Sequence, residues 1–244
     1  MRNALRAAWR LLRAVLHALR GVAVVLLRFP TLTVEGRRER IRWWAGTMLQ
    51  RLGLTLEVNG MFKPGAKLVV ANHVSWLDIV AVHAVCPEAR FVSKADVQQW
   101  PLLNRLIASA ETIYLDRERK RDALRVVHRM AEVLAAGGTV AAFPEGTTGD
   151  GRTLLPFHAN LLQAAISTAT PVQPLALRYA DAHHAVSPAA LWLGETTLLG
   201  SVWKLACAEG MVVRLHVLPP MATAHADRRA LAATLREQIE EGLR

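Results

Sequence analysis

The chain has 244 residues, 52% hydrophobic and 20% charged, with a net charge of +10, enough for one domain with a substantial core but not for two independent ones. Its two cysteines, Cys86 and Cys207, lie in apolar surroundings without a CxxC or His-rich neighbourhood, so neither a disulfide framework nor a zinc site is expected, and a reducing compartment fits. The charge is concentrated: residues 1–51 carry 11 arginines against two glutamates, +9 of the total, which leaves the body nearly neutral.

Basic arms that bind nucleic acid are polar and lysine-rich, whereas this one interleaves Arg with Leu, Val, Ala and Trp. An anionic phospholipid membrane is therefore the expected partner, and nucleic acid is not. On a helix the first 28 residues place Arg2, Arg6, Arg10, Arg13, His17, Arg20 and Arg28 in a stripe about 80° wide, with Leu, Val, Ala and Trp9 filling the remainder. The longest stretches free of Lys and Arg are Ala14–Leu19 and Gly21–Leu27, against about 20 residues for a bilayer span. The helix should lie in the interface. Its spread-out charge and the lack of an uninterrupted apolar region before a cleavage site predict that it is retained rather than removed as a signal peptide. Phe29-Pro30 ends it, and a second basic amphipathic stretch from Glu35 to Leu52 carries Arg37, Arg38, Arg40, Arg42 and the headgroup-seeking pair Trp43-Trp44. The alternative is that both helices pack on the body through their apolar faces.

From Leu54 short β-type runs alternate with helical ones. The pattern predicts an α/β domain over residues 53–244, a mixed, largely parallel central sheet flanked by helices, with residues 1–52 as a two-helix membrane-associating motif. Strands are expected at Leu54–Asn59, Lys67–Ala71, Arg90–Ser93, Thr112–Leu115, Thr139–Phe143, Val172–Arg178 and Val212–Leu218. The clearest helices are Asp116–Ala136, closed by Gly137-Gly138, and Ala226–Leu243, with capping chemistry at Asp227 and Leu231, Leu235 and Ile239 at four-residue spacing.

The strand Lys67–Ala71 runs into Asn72-His73-Val74-Ser75-Trp76-Leu77-Asp78, a loop turning into a helix. His73 suits a general base near neutral pH, and Asp78 can accept the other imidazole N–H, fixing the tautomer and stabilising the imidazolium. Nine His and seven Asp give roughly 0.3 chance occurrences of this spacing, so on its own it leaves a structural histidine open. Ser75, with no Gly-x-Ser-x-Gly elbow around it, reads as a helix cap rather than a nucleophile. A second strand, Thr139–Phe143, leads into Pro144-Glu145-Gly146-Thr147-Thr148-Gly149-Asp150-Gly151. Open α/β folds bind ligands at such strand ends. The glycines let N–H groups approach a phosphate or an oxyanion, and Glu145 offers a carboxylate to a polar acceptor or to a neighbouring loop; an ordinary Gly-rich turn is the alternative. His83, His128, His158, His183 and His184 show no metal-ligand spacing and are assigned no chemistry.

With both blocks in view, the chain resembles the glycerolipid acyltransferase family, typified by bacterial 1-acyl-glycerol-3-phosphate acyltransferases, whose blocks read Asn-His-x4-Asp and Phe-Pro-Glu-Gly-Thr. They stand here at Asn72–Asp78 and Phe143–Thr147. Ile113-Tyr114-Leu115-Asp116-Arg117 and Val172-Gln173-Pro174-Leu175-Ala176 resemble two weaker blocks, so the likeness runs from about Leu52 to Leu218. It implies an O-acyltransferase in which His73, held by Asp78, deprotonates a lysolipid hydroxyl for direct attack on the thioester of acyl-CoA or acyl-carrier protein. It further implies substrate contacts from Asn72, Lys94, Arg117, Glu145, Gly146 and Thr147, no metal or other cofactor, and a monotopic or peripheral place on the cytoplasmic face of the inner membrane. The acceptor it implies first is 1-acyl-glycerol-3-phosphate, giving phosphatidic acid. Three departures keep lyso-ornithine lipid as the alternative: Thr148 where phosphate-acceptor enzymes carry Arg, Glu111 in place of Gly, and the loop Gly149-Asp150-Gly151 followed by Leu155-Pro156-Phe157. An interfacial lipid or thioester hydrolase and a non-catalytic membrane-binding protein are the readings of other classes.

Overall fold

The computed structural model describes residues 2–99, 103–115 and 120–244. Helix α1 (Arg2–Leu27) is followed by a 3-10 turn at Phe29–Thr31 containing Pro30. Helix α2 (Val34–Leu52) opens where the Thr33 hydroxyl accepts from the Gly36 amide at 3.2 Å and closes at Gly53, whose φ of 88° is the left-handed cap glycine adopts without strain. Both lie within two residues of the expected positions, and no helix among the described residues is long and apolar enough to cross a membrane.

After this pair the order is β1 (Leu54–Asn59), β2 (Lys67–Ala71), α3 (Leu77–His83), β3 (Ala89–Lys94), α4 (Leu103–Ser109), β4 (Ile113–Leu115), α5 (Lys120–Ala135), β5 (Thr139–Ala142), α6 (Gln163–Ser167), β6 (Val172–Ala180), α7 (Leu198–Cys207), β7 (Met211–Val217) and α8 (Arg228–Gly242). The strands form one sheet in the order β1-β7-β6-β2-β5-β3-β4. Every adjacent pair is parallel except β6 with β7, which is the mixed, largely parallel sheet the alternating pattern predicts. The strand β5 stops one residue before the expected Phe143, because the Phe143 carbonyl turns to accept from the Gly146 amide. The first four residues of the expected helix Asp116–Ala136 lie outside the described residues.

Central strands are buried on both faces, as parallel strands under two helical layers must be. Val69, Ala71, Ala141 and Phe143 join Leu77, Ala45, Leu49 and Leu205 on one side, and Leu68, Val70, Val140 and Ala142 join Met130, Leu235 and Ile239 on the other. At the foot of the sheet the buried Lys67 ammonium is held by Glu88 at 3.1 Å and Thr139 at 3.2 Å.

Helix α1 buries the small apolar residues Ala7, Ala14 and Val22, and part of its basic stripe flanks that face: Arg10 donates to the carbonyls of Ala206 and Ala208 at 3.0 and 2.7 Å, and Arg6 bonds the Cys207 carbonyl and pairs with Glu209. These groups satisfy the C-terminal carbonyls of α7, which carry the negative end of its dipole. His17 bonds the Trp44 carbonyl at 3.0 Å and stacks on its indole. The Arg10 guanidinium lies so close to Gly53 that an added Cβ would come within 2.3 Å of it. The opposite arc, Leu5, Trp9, Leu12, Val15 and Leu16, is at least half exposed. Helix α1 thus packs on the body through its small apolar residues, as the alternative expected, while its larger apolar residues stay outside.

Candidate active site

The parallel pairing of β2 with β5 places Val70 opposite Ala142, so the segments starting at Asn72 and Phe143 leave neighbouring strands side by side at the sheet's carboxyl edge. His73 Nδ1 lies 2.8 Å from Asp78 Oδ2. A carboxylate only accepts, so Nδ1 is the donor of this bond, and the neutral ring would carry its lone pair on Nε2. The imidazole lies flat on Phe143, centroids 4.0 Å apart and planes 8° apart, and its side chain is 20% exposed. It is reachable without being loose.

Asp78 is fully buried, and its charge is met by four donors. Oδ2 accepts from Val74 N at 2.7 Å and Ser75 N at 3.0 Å as well as from His73, and Oδ1 accepts from the Tyr179 hydroxyl at 2.9 Å. Burial first, and then the adjacent Asp78 charge and the bond to it, push the Tyr179 pKa well above the ordinary phenol value, so Tyr179 remains a donor. Asp78 gathers the amides of Val74 and Ser75, in the loop leading into α3. The Ser75 hydroxyl is buried and meets no partner among the described residues, which corrects the expected cap role.

Two residues expected to contact substrate are occupied otherwise. The Asn72 side chain is buried and spans to β6, donating to the Leu177 carbonyl at 2.9 Å and accepting from the Leu177 amide at 2.8 Å; it extends the β2–β6 ladder by one rung while its main chain turns away. Glu145, 5% exposed, accepts from the His73 amide at 2.7 Å and from the Leu155 amide at 2.8 Å. It clamps the two blocks together, the neighbouring-loop option of the sequence. Burial raises its pKa above the usual carboxylate value, against the pull of those two amides.

Gly146, at φ 71°, takes a conformation that other residues reach only with strain, and His158 fills the space its missing Cβ leaves. Thr147 is exposed at the loop tip. Thr148 donates its hydroxyl to the Trp192 carbonyl, and the Trp192 amide donates to the Val74 carbonyl at 3.1 Å. Gly149 N donates to the His73 carbonyl at 2.7 Å. Both blocks and the segment around Trp192 are thus one hydrogen-bonded unit. The main chain of Lys94 ends β3, opposite Leu115, but its side chain and all of Arg117 lie outside the described residues.

Beside this unit a cavity of about 300 Å³ is bounded by Trp76, Ile79, Val80 and His83 on the α3 side and by Val15, Trp44, Leu106 and Val202 of α1, α2, α4 and α7. Its wall is apolar except for Arg40, His83, Ser93, Ser109 and Thr112. Sequence reasoning missed Tyr179, Trp192 and this cavity. For Tyr179 one signal existed: a tyrosine in an otherwise apolar strand must find a partner for its hydroxyl.

The family model named Acyltransferase matches residues 55–178. The chain is 35% identical to the lyso-ornithine lipid O-acyltransferase of Pseudomonas aeruginosa, over 100% of this chain and 94% of that protein. It is 34% identical to the 1-acyl-sn-glycerol-3-phosphate acyltransferase of Neisseria meningitidis serogroup B, over 86% of this chain and 81% of that one. The crystal structure of the 1-acyl-sn-glycerophosphate acyltransferase from Thermotoga maritima superposes with a TM-score of 0.77 at 21% identity, covering 99% of this chain and 95% of that one, a likeness of fold.

Proposed function

The chain belongs to the acyltransferase family, and we propose that it moves a fatty acyl group from acyl-CoA or acyl-carrier protein to a lysolipid hydroxyl, with His73 as the base. The observation that carries this is the Asp78–His73 pair, in which the carboxylate takes Nδ1 and leaves Nε2 to face an acceptor. His73 Nε2 takes the acceptor's hydroxyl proton as the oxygen attacks the thioester carbonyl carbon. Collapse of the tetrahedral adduct breaks the C–S bond, and the imidazolium returns its proton to the departing thiolate. No acyl-enzyme is needed, and the Ser75 hydroxyl, buried beneath the loop, is not placed to form one.

The cavity beside α3 suits the donor's acyl chain, since its apolar wall begins at Trp76, three residues from His73. The exposed apolar arc of α1 suits a bilayer surface, entered from the side where thioester carriers are found, the cytoplasmic face. Arg38, Arg40 and Arg42, exposed on α2, would suit anionic headgroups.

For the acceptor, one observation favours lyso-ornithine lipid over lysophosphatidate. Where a guanidinium would meet a phosphate monoester, Thr148 spends its hydroxyl on the Trp192 carbonyl and supplies no cation. The test is a panel of lysophosphatidate, lyso-ornithine lipid and neutral lysophospholipids, scored by thioester consumption with wild type and His73→Ala. Acylation by His73→Ala above background would refute the mechanism. Rapid release of free fatty acid without acceptor would favour a hydrolase, and no consumption with any lysolipid a binding protein.

A further inference from the structure

We propose that the cavity recognises a hydrogen-bonding substituent, a hydroxyl, in the middle of the acyl chain, and that His83 makes the contact. The inference rests on reading this cavity as the acyl site. Trp76, Ile79, Val80 and His83 share one face of α3, at the three- and four-residue spacings that line up on a helix. They trace the cavity wall away from the catalytic loop, and His83 lies about 10 Å along the helix axis from Trp76. A chain whose carbonyl is held at His73 therefore meets His83 at its middle, not beside the thioester.

The imidazole there is an anomaly in an apolar wall. His83 is 7% exposed, and its Nδ1, closed off from solvent, meets no hydrogen-bond partner among the described residues. Its ring meets Phe91 in a T-shaped contact, centroids 5.1 Å apart, which gives Nδ1 no such partner. Other polar residues of the same wall are provided for: Ser109 donates to the Leu106 carbonyl at 2.7 Å and Thr112 to the Ile107 carbonyl at 2.8 Å. An unanswered buried polar group is destabilising, and a leucine would fill this place without that cost. Burial lowers the His83 pKa to about 4, so the ring is neutral at neutral pH and offers one donor and one acceptor without charge. That chemistry matches a hydroxyl and does not match a phosphate or a carboxylate.

The experiment compares kcat/KM for a positional series of monohydroxylated octadecanoyl thioesters with that for octadecanoyl thioester, using the full chain on vesicles with one lysolipid acceptor. Wild type should favour one mid-chain position over the unsubstituted chain by roughly 3- to 10-fold, the value of one hydrogen bond. His83→Leu should lose that preference, and His83→Gln should keep part of it; melting temperatures at or above wild type would show both variants folded. Equal ratios in wild type and His83→Leu would overturn the inference, as would a wild type that discriminates against every hydroxylated chain, the result if only a water meets the ring. Val80→Trp, which fills the cavity, separates this failure from that of the underlying reading. A shift toward shorter chains in Val80→Trp with no His83 effect sinks the hydroxyl inference alone, and an unchanged chain-length profile sinks the acyl cavity and the inference with it.

Discussion

The Tyr179 hydroxyl donates to Asp78 Oδ1 at 2.9 Å from a fully buried position on β6, 101 residues further along the chain. The carboxylate that orients His73 is thereby gripped from the side opposite its own loop. A hydrogen bond to a charged acceptor contributes about 1.5–3 kcal/mol. Tyr179→Phe should therefore lower kcat about 10-fold with KM little changed, because the lost contact orients the base and touches no substrate. Steady-state kinetics with a thioester and lysolipid pair checks this; a rise in KM at constant kcat would point to a role in binding instead.

Glu145 holds the His73 and Leu155 amides with one oxygen each. Gln offers a single carbonyl oxygen to these two donors, so Glu145→Gln should leave one buried amide facing an NH₂ group, at a cost of about 1–3 kcal/mol. The variant should melt earlier and lose activity even at temperatures where it is folded. Denaturant unfolding with parallel activity assays measures both, and a variant with wild-type stability and activity would remove the clamp role.

His83 gives stability a pH dependence whose sign follows from burial. Its folded pKa of about 4 lies below the ordinary value of about 6.5, so between those limits the unfolded chain takes up a proton that the folded one refuses. Stability from this group is complete above pH 6.5 and falls as the pH drops toward 4, by up to about 3 kcal/mol. His83→Leu should flatten the decline, which thermal melts across this range would reveal as a smaller acid-side drop than in wild type.

The two faces of α1 should separate experimentally. Leu12→Glu with Leu16→Glu alters only the exposed arc, so vesicle binding should fall sharply while the melting temperature barely moves. Arg10→Ala removes the bonds to the Ala206 and Ala208 carbonyls and should lower the melting temperature, because α7 loses partners for its last turn. Flotation with anionic vesicles beside thermal melts distinguishes them, and a strong binding loss in Arg10→Ala at unchanged stability would mean that Arg10 serves lipid.

Replacing Thr148 by Arg restores a cation beside the second block at the expense of the bond to Trp192. Thr148→Arg should raise the ratio of lysophosphatidate to lyso-ornithine lipid turnover by about 10-fold, the scale of one charge-assisted contact. An unmoved ratio would place acceptor choice elsewhere in the site.

Much of this molecule was legible from local pattern. Lys67–Ala71 announces itself because burial of every residue demands a short apolar run, and Leu54–Asn59 because apolar and polar residues alternate along an edge strand; the structure places both at the expected residues. The pairing of His73 with Asp78 was legible too, since five residues of chain bridge it through a single turn.

What the sequence could not carry was any choice between partners equally compatible with a residue's chemistry. Asn72 and Glu145 have side chains able to meet a substrate or a main chain, and only the packing of β6 beside β2 and of Leu155 beneath the second block decides for the main chain. The period of α1 divides it into a basic stripe and a broad apolar arc without saying which part of that arc turns inward. That was settled by the body of the protein: Ala7, Ala14 and Val22 are small enough to be buried against it while Arg6 and Arg10 reach the carbonyls at the end of α7, and the larger Leu5, Trp9, Leu12 and Leu16 stay outside. Chain-local spacing thus determined the His73 and Asp78 pair, and the tertiary structure alone brought Tyr179 to it, since a contact across 101 residues exists only once the sheet has assembled.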